Sequence, residues 1–592
     1  MVFAPLAHAA AATDATWLKL STPEFTVVTS LKEKEARAWA GEFSQFIAAM
    51  RSFFADGNRQ LPPLTVVIFA RDRDFRDYRP LGPDGKPQPM AGFFSRLESS
   101  AVAGLSGAIS SKELRRTIFH EGTHWFMSGS GQTQPVWLEE GFAEVFSTFE
   151  IEKGKAKWGS PIEEHVYALQ EIDRLPLQKL LTLGQENLSH KDTLQTGIIY
   201  AESWAFVHYL IFGEHKMSRR AVSEYVALLG KIHPDEAFQR AFGRTVKEMD
   251  REFRQYLDGG TYFVSRQPLA ETKPPQLTVA SVADVANAQG RLALAGGRNE
   301  LAEKQARAAI MASPEAPEGY VLLGAVLNSK KDADGARAAF GEAVARKSAD
   351  GEAYFELAAA EQRAAAEGGA LIEGMSAEKA RRIADLYTEA IRLEPQGLAA
   401  FQNLAGIVNL TGKTEESDQV SLELGRKRYP NDPMIQVGLA VLAKRAGEDE
   451  KARTLLDGVL GRAALPVEVR TFASALDGQW EQQELTERTR ALAKAGQFAE
   501  AVALVNARLE RGVAIGMRQH YVELRGQLLA GARGQDVKNA LDERRWGDAK
   551  ILLQSILESD APAAMKQQAR RTLEDLNRRN LGFPPPSSPG KN

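Results

Sequence analysis

The sequence contains no cysteine, and only nine of its 592 residues are histidine. Without cysteine the chain can form neither disulfide bonds nor a metal site built from thiolates, so a bound metal must be held by nitrogen and oxygen ligands. A positive charge excess is also lacking, since the net charge is −3. We therefore expect no nucleic acid among the partners. No apolar run approaches the ~18–20 residues that span a bilayer, which predicts a chain without a transmembrane segment.

The rest of the composition is that of an ordinary globular protein. Hydrophobic residues make up 44% and charged residues 26% of the chain. A mass of 64.9 kDa exceeds what one hydrophobic core supports, so we expect two or more domains.

The few histidines include a pair four residues apart, in the segment His-Glu-Gly-Thr-His at 120–124. Residues four apart lie on one face of a helix, so His120 and His124 can both reach one ion at about 2.0–2.1 Å. Glu121 lies about 100° further round the helix, where its carboxylate can act on a water molecule instead of the metal. The pattern predicts a zinc-dependent hydrolase. Two unrelated helix residues remain the alternative.

A catalytic zinc needs a third protein ligand, and residues 135–146 read as a second helix that can supply it. Glu140, sixteen residues after His124, is the predicted ligand. Helix phase read from sequence can shift by one residue, so Glu139 is the alternative. Glu144 lies one turn after Glu140, where it is predicted to accept a hydrogen bond from a ligand imidazole.

The segments HEGTHW and WLEEGFAEVF together resemble the gluzincin metallopeptidases, especially their peptidase MA-like domains. The resemblance covers roughly residues 20–262. It implies that His120, His124 and Glu140 bind zinc and that Glu121 is the general base.

The same resemblance points to a tyrosine at the start of a later helix. Residues 200–210, Tyr-Ala-Glu-Ser-Trp-Ala-Phe-Val-His-Tyr-Leu, are similar to the gluzincin segment whose tyrosine stabilises the oxyanion. Tyr200 is therefore the oxyanion candidate, with a purely structural core role as the alternative. His208, two turns later, is expected to be structural.

Two departures separate the chain from the aminopeptidase branch of the gluzincins. The sequence has no Gly-x-Met-Glu-Asn-type motif, and the gap between His124 and Glu140 is shorter. An endopeptidase-like activity on a peptide or protein substrate is therefore the safer expectation.

The first 260 residues have the pattern of an α+β domain. Residues 25–29 and 64–69 are β-branched runs that predict strands, and a helix is expected between them over about 33–54. Residues 92–105 predict a hairpin or edge strand, on which gluzincins bind the substrate backbone.

Beyond residue 278 the sequence is rich in alanine, leucine, arginine and glutamate, with helical periodicity. Small residues such as Ala302, Ala306 and Ala309 match the second helix of a tetratricopeptide repeat. The ends of successive units, at residues 314, 348, 395, 430 and 466, are spaced by 34, 47, 35 and 36 residues. We therefore expect an all-α solenoid that binds a protein partner, or that acts only as a spacer.

Taken together, the patterns predict an α+β zincin-like metallopeptidase domain followed by an all-α tetratricopeptide-type solenoid. The expected segments are a signal-like or disordered leader (1–16), the peptidase domain (17–262), a linker (263–278), tetratricopeptide-like repeats (279–480), further helical repeats (481–580) and a disordered tail (581–592). The leader is a short apolar stretch with an Ala-x-Ala pattern, which favours export to a periplasm over a cytoplasmic location.

Zn²⁺-dependent peptide-bond hydrolysis with partner recognition by the repeats is the predicted function. The alternative is a catalytically inactive zinc-binding scaffold that acts through its repeats.

Overall fold

The computed structural model describes residues 16–54, 61–82, 85–96, 100–107, 112–128, 134–184, 193–213, 219–229, 232–366, 375–394, 397–462, 464–513, 515–559, 561 and 563–579. Most of the expected leader and the whole of the expected tail lie outside these residues. The chain forms two compact units, Met1–Ala452 and Arg453–Asn592.

The first unit contains all the described strands and the first helices of the chain. The strands are β1 (Leu18–Ser21), β2 (Phe25–Thr29), β3 (Leu64–Ile68), β4 (Gly92–Arg96), β5 (Ala101–Leu105), β6 (Glu150–Glu152), β7 (Lys155–Trp158), β8 (Ser265–Pro268) and β9 (Gln276–Val279). The helices among them are α1 (Glu33–Phe54), α2 (Asp72–Phe75), α3 (Lys112–Ser128), α4 (Val136–Ser147), α5 (Glu163–Glu171), α6 (Leu177–Leu181), α7 (Thr193–Phe212), α8 (Arg219–Leu228), α9 (Pro234–Phe242) and α10 (Val246–Gly259).

Among the described residues, the elements that follow β9 are helices. They are α11 (Val282–Ala295), α12 (Asn299–Ala312), α13 (Glu318–Ser329), α14 (Ala333–Ala345), α15 (Gly351–Ala366), α16 (Ala377–Leu393), α17 (Leu398–Ile407), α18 (Glu416–Arg428), α19 (Pro433–Arg445), α20 (Asp449–Leu460), α21 (Val467–Lys494), α22 (Phe498–Glu510), α23 (Ile515–Asp542), α24 (Trp546–Glu558) and α25 (Ala563–Arg578). The predicted change from an α+β region to an all-helical region is confirmed, while the zincin identity of the first part stays a prediction.

A six-stranded sheet in the order β4-β5-β3-β2-β1-β9 forms the centre of the α+β region. Strands β2, β3 and β5 are parallel to one another, whereas β4, β1 and β9 each pair antiparallel with their neighbour. Because side chains alternate along a strand, Val27 and Val66 face one core and Val28 and Val67 face the other. The first core also contains residues of α1, α3, α4 and α7, and the second contains residues of α11, α12 and α13.

The segment 263–278 is not the linker that the sequence predicts. Strand β8 pairs with β7, and β9 pairs with β1 along the edge of the large sheet. Both strands are four residues long, and their side chains are mostly half-buried or exposed. Neither strand is a run of β-branched residues of the kind that identifies β2 and β3 in the sequence. The expected boundary at 480/481 likewise lies inside α21.

Helix α11 covers the second face of the sheet. Its Leu292 is fully buried, and a Cβ at Gly104 of β5 would lie 2.6 Å from Cδ1 of Leu292. The strand therefore needs a glycine at this position for α11 to pack so closely. Lys19 of β1 also donates to Asp284 of α11 at 2.6 Å. The first of the repeat helices is thus part of the sheet region's core.

Within the first unit, the later helices stack as pairs. Each helix from α11 to α17 packs against its successor, and α11, α13 and α17 also contact α13, α15 and α19, respectively. Ala302, Ala306 and Ala309, which identify the repeat in the sequence, are at most 1% exposed. This arrangement is a stack of helical hairpins.

The second unit is also built from stacked helices. Helices α21 to α25 pack in sequence order, each against the next. Two clusters of its described buried residues lie around Val505 and Tyr521 and around Leu553 and Ile556. Throughout the described part of the chain, no helix is both long enough and apolar enough to cross a lipid bilayer.

Residues 276–295 should be needed for the α+β region to fold. A fragment of residues 1–262 lacks β9 and α11 and exposes the face that carries Val28 and Val67, at a cost of about 1.5–3 kcal/mol for each such side chain. A fragment of residues 1–345 retains these contacts. We expect soluble protein with cooperative thermal unfolding, followed by circular dichroism, only from the longer fragment. A soluble, cooperatively melting 1–262 fragment would contradict this.

Candidate metal centre

The packing of α3 on α1 explains the glycine between the two motif histidines. A Cβ at Gly122 would lie 3.1 Å from Cε1 of Phe46 and 3.3 Å from Cε2 of Phe43. Glycine inside a helix costs up to about 1 kcal/mol relative to alanine, and here the close approach of α1 accounts for it. On the same helix His120 and His124 meet, with their ring centroids 4.8 Å apart.

Helix α4 brings three glutamates to these histidines. Every residue of α4 except Glu139 is buried. A Cβ at Gly141 would lie 2.4 Å from the backbone oxygen of Ser203 and 2.4 Å from Cγ2 of Val207, so α4 and α7 touch at this point. This contact sets α7, which carries Tyr200, against the carboxylates of α4.

The side-chain donor atoms of the three predicted ligands converge on one point. The Nε2 atoms of His120 and His124 are 3.2 Å apart, and Oε2 of Glu140 lies 3.5 Å from the first and 3.3 Å from the second. Donors bound at ~2.0–2.1 Å to a tetrahedral ion stand about 3.3–3.4 Å from one another. The triangle of donor atoms therefore has the size that a zinc ion requires.

The chemistry of the three donors also fits a metal ion. Oε2 of Glu140 is buried and has no hydrogen-bond partner in the described structure. A buried carboxylate oxygen without a partner is costly, and a cation between it and the two imidazoles would remove that cost. Within the described residues, the triad of His120, His124 and Glu140 is the group whose ligand atoms come close enough to hold a metal.

The other ring nitrogen of each histidine faces a carboxylate of α4. Nδ1 of His120 lies 3.2 Å from Oε1 of Glu144, and Nδ1 of His124 lies 3.2 Å from Oε1 of Glu139. Such contacts fix the orientation and tautomer of a metal-binding imidazole. Glu144 thus lies where the sequence places it. Glu139, which the sequence offers as the alternative ligand, instead contacts Nδ1 of His124 and not the Nε2 atom that faces Glu140.

Neighbouring carboxylates control the protonation of the histidines. Burial lowers the pKa of His120, but its contacts with Glu140 and Glu144 outweigh burial and raise the pKa to about 10. Burial also lowers the pKa of His124, and Glu139 and Glu140 raise it above its usual range. In turn burial raises the pKa of Glu140, yet the two histidines bring it down to about 2. Without a metal, the ring of His120 therefore holds an extra proton at neutral pH.

The second oxygen of Glu144 faces an imidazole and a guanidinium. Oε2 of this buried carboxylate lies 3.1 Å from Nε2 of His165 on α5 and 3.5 Å from Nη2 of Arg116 on α3. Burial raises the pKa of Glu144, but His120 and His165 lower it well below its usual range. Sequence reasoning missed both residues, although Arg116 stands one helical turn before His120.

Glu121 and Tyr200 both lie near the group formed by His120, His124 and Glu140. Glu121 lines a crevice together with Phe94 of β4 and Ile118 of α3. The ring centroid of Tyr200 is 6.2 Å from that of His120. Burial raises the pKa of Tyr200, and the charges of Glu140, Glu144 and Glu121 raise it further, so its hydroxyl keeps its proton.

His208 on α7 is separate from this cluster. Its Nδ1 lies 2.7 Å from the hydroxyl of Tyr256, and its Nε2 lies 2.9 Å from the backbone oxygen of Gly159. Burial lowers the pKa of His208 to about 4. A neutral, fully hydrogen-bonded histidine of this kind ties α7 to its neighbours.

Comparison with known proteins finds similar solved structures only. No family model and no curated protein matches the chain. Among solved structures, a tetratricopeptide repeat protein from Parabacteroides merdae is 12% identical, with 50% of this chain and 98% of that chain covered and a TM-score of 0.22. Yeast Tom70 is 13% identical (79% and 88% covered, TM-score 0.19), and human IFIT1, in a dimer with PPP-AAAA, is 14% identical (70% and 94% covered, TM-score 0.18). At these values the similarity carries no information about activity or partners.

The contact between α4 and α7 should not tolerate a side chain at position 141. Gly141→Ala places a methyl group against the backbone of α7, which we expect to destabilise the protein by about 2–4 kcal/mol, in the range of overpacked or strained cores. Gly197 provides a control on α7 itself, because nothing lies within 4 Å of a Cβ there. Gly197→Ala should leave stability unchanged or raise it by up to about 1 kcal/mol. Chemical unfolding measures both, and equal effects of the two substitutions would contradict the close contact.

Zinc affinity should rise steeply with pH. The pKa of His120 is raised to about 10, so its ring keeps an extra proton between pH 6 and 8, and zinc must displace that proton. The apparent Kd for zinc should therefore fall by up to about tenfold per pH unit over this range. Competition with a chelator at several pH values measures this slope. A Kd that does not change over this range would show that the ring is already neutral.

Proposed function

We propose that the protein is a zinc-dependent hydrolase of peptide bonds, with endopeptidase-like activity. The observation that carries the proposal is the triangle formed by Nε2 of His120, Nε2 of His124 and Oε2 of Glu140, with edges of 3.2–3.5 Å. Two imidazoles and one carboxylate leave a fourth position open, as in catalytic zinc sites of hydrolases.

The zinc ion, when bound, supplies Lewis-acid polarisation of the scissile carbonyl and lowers the pKa of the attacking water. His120, His124 and Glu140 would hold it. Glu121 is the base that takes the proton from the attacking water and delivers it to the leaving amine. Tyr200 keeps its hydroxyl proton and donates a hydrogen bond to the oxyanion.

Strand β4 supports an extended peptide as the substrate. In the described part of the sheet, β4 pairs only with β5, so its outer edge is open to another strand. An extended chain can add to such an edge through backbone hydrogen bonds. Glu121 and Phe94 of β4 line the same crevice, which places the strand beside the proposed base.

The stacked helices add a recognition function to the proposal. A stack of helical hairpins offers a long continuous surface for a peptide or protein. We propose that this surface recruits the substrate or a partner protein. A scaffold that holds zinc but does not cleave peptides is the alternative, and it shares the same ligands.

Peptide cleavage separates the two functions. The purified protein should cleave members of a peptide library, lose the activity with a chelator and regain it with zinc. Glu121→Gln should retain bound zinc and lose at least about a hundredfold in kcat, because the base is removed but the ligands are not. Tyr200→Phe should also keep zinc and lower kcat.

Glu113 provides the matched control for Glu121. It is an exposed glutamate on the same helix, α3, two turns earlier. Glu113→Gln should leave both zinc content and cleavage unchanged. A wild type that binds zinc but cleaves nothing would favour the scaffold, and a wild type that binds no zinc would exclude both forms of the proposal.

A further inference from the structure

Glu144 is a buried carboxylate shared by three cationic or ionisable side chains. Glu144 is 8% exposed. Oε1 faces Nδ1 of His120 at 3.2 Å, while Oε2 faces Nε2 of His165 at 3.1 Å and Nη2 of Arg116 at 3.5 Å. Oε1 therefore contacts a proposed metal ligand, whereas Oε2 contacts two residues that are not proposed ligands.

The role of this second pair of contacts follows from their geometry. The orientation of a metal-binding imidazole depends on the group that its other ring nitrogen faces. At His120 that group is the carboxylate of Glu144, whose Oε2 lies 3.5 Å from Arg116 and 3.1 Å from His165. These two side chains therefore restrict the rotation of the carboxylate that faces His120.

Two helices, α3 and α5, place Arg116 and His165 beside Glu144. Arg116 and His120 are four residues apart on α3, so they lie one turn from each other on the same face. Helix α5 brings His165 to the same carboxylate, and its neighbour Glu164 contacts Nη1 of Arg116 at 3.3 Å. Arg116 thus bridges two carboxylates from two helices, which restricts the position of its guanidinium.

We propose that Arg116 and His165 are positioning residues for the metal site. They hold the carboxylate of Glu144 in place, so that it orients His120 for metal binding. The inference rests on the proposed zinc-dependent function, but it concerns residues to which no metal or catalytic role has been assigned. It requires that Arg116 and His165 affect the zinc affinity through their contacts with Glu144.

The test is zinc affinity of the full-length protein, measured by competition with a chelator. Arg116→Met keeps the aliphatic stem and removes the charge, and His165→Ala removes the imidazole. Each should weaken zinc binding roughly three- to tenfold, less than the 10–100-fold typical of a direct partner of a metal ligand. Arg116→Lys should stay within about threefold of the wild type, since it keeps the positive charge.

Arg115→Met is the matched control. Arg115 is the neighbour of Arg116 on α3, but it pairs with Glu42 and lies over the ring of Phe119. Its substitution should change zinc affinity by less than about twofold. The absorption spectrum of the cobalt-substituted protein gives a second readout, because it reports the geometry of the ligands. It should shift in Arg116→Met and His165→Ala and not in Arg115→Met.

A Glu144→Gln background distinguishes positioning from general stability. If Arg116 and His165 act through Glu144, their substitution in this background should weaken zinc binding by less than about twofold further. Should His165→Ala fail to fold, His165→Gln provides the comparison, and we expect it to bind zinc more weakly than the wild type.

Each outcome decides the inference. Unchanged zinc affinity and cobalt spectrum in the Arg116 and His165 variants would overturn it while leaving the proposed function intact. The same loss of affinity with and without the Glu144 carboxylate would overturn it too, because the effect would then not pass through Glu144. A wild type without zinc affinity would overturn the proposed function, and the inference with it.

Discussion

The candidate metal centre depends on the contacts that one helix, α4, makes with α3 and with α7. Gly141 allows α4 to approach the backbone of α7 at Ser203. The same helix presents Glu139, Glu140 and Glu144 to the two histidines of α3. A shift of α4 by one ångström would change all these distances together, since the three carboxylates share one rigid backbone. The positions of the ligand oxygen and of both imidazole partners are therefore set by a single packing interaction.

The spacing of the candidate residues within each helix can be read from the sequence, for a physical reason. The helical repeat of 3.6 residues fixes the relation of His120 to His124 and of Glu140 to Glu144 within their own helices. The relation between helices is not encoded in this way. Other contacts depend on how α3, α4 and α5 pack, and no local sequence pattern predicts that packing. They are the contact of Glu139 with His124 and the contacts of Arg116 and His165 with Glu144.

The same distinction explains the fold. Strands β2 and β3 are found from their β-branched runs, and the repeat helices from their buried alanines. Strands β8 and β9 are missed because they lie at sheet edges, where exposed polar residues are tolerated and the apolar alternation disappears. Gly104 lies within residues 92–105, which the sequence predicts as a hairpin or edge strand. Only the structure relates it to Leu292, almost two hundred residues later.

The pairing of β9 with β1 bears on the order in which the chain can fold during synthesis. The ion pair between Lys19 and Asp284 joins residues 265 positions apart. A ribosome that has released only the first 262 residues has released every ligand of the metal centre, but neither the edge strand nor the helix that covers the back of the sheet. The nascent domain must therefore wait, with that apolar face uncovered, until the start of the helical repeats has emerged. The amino-terminal region and the first repeat helix constitute one folding unit.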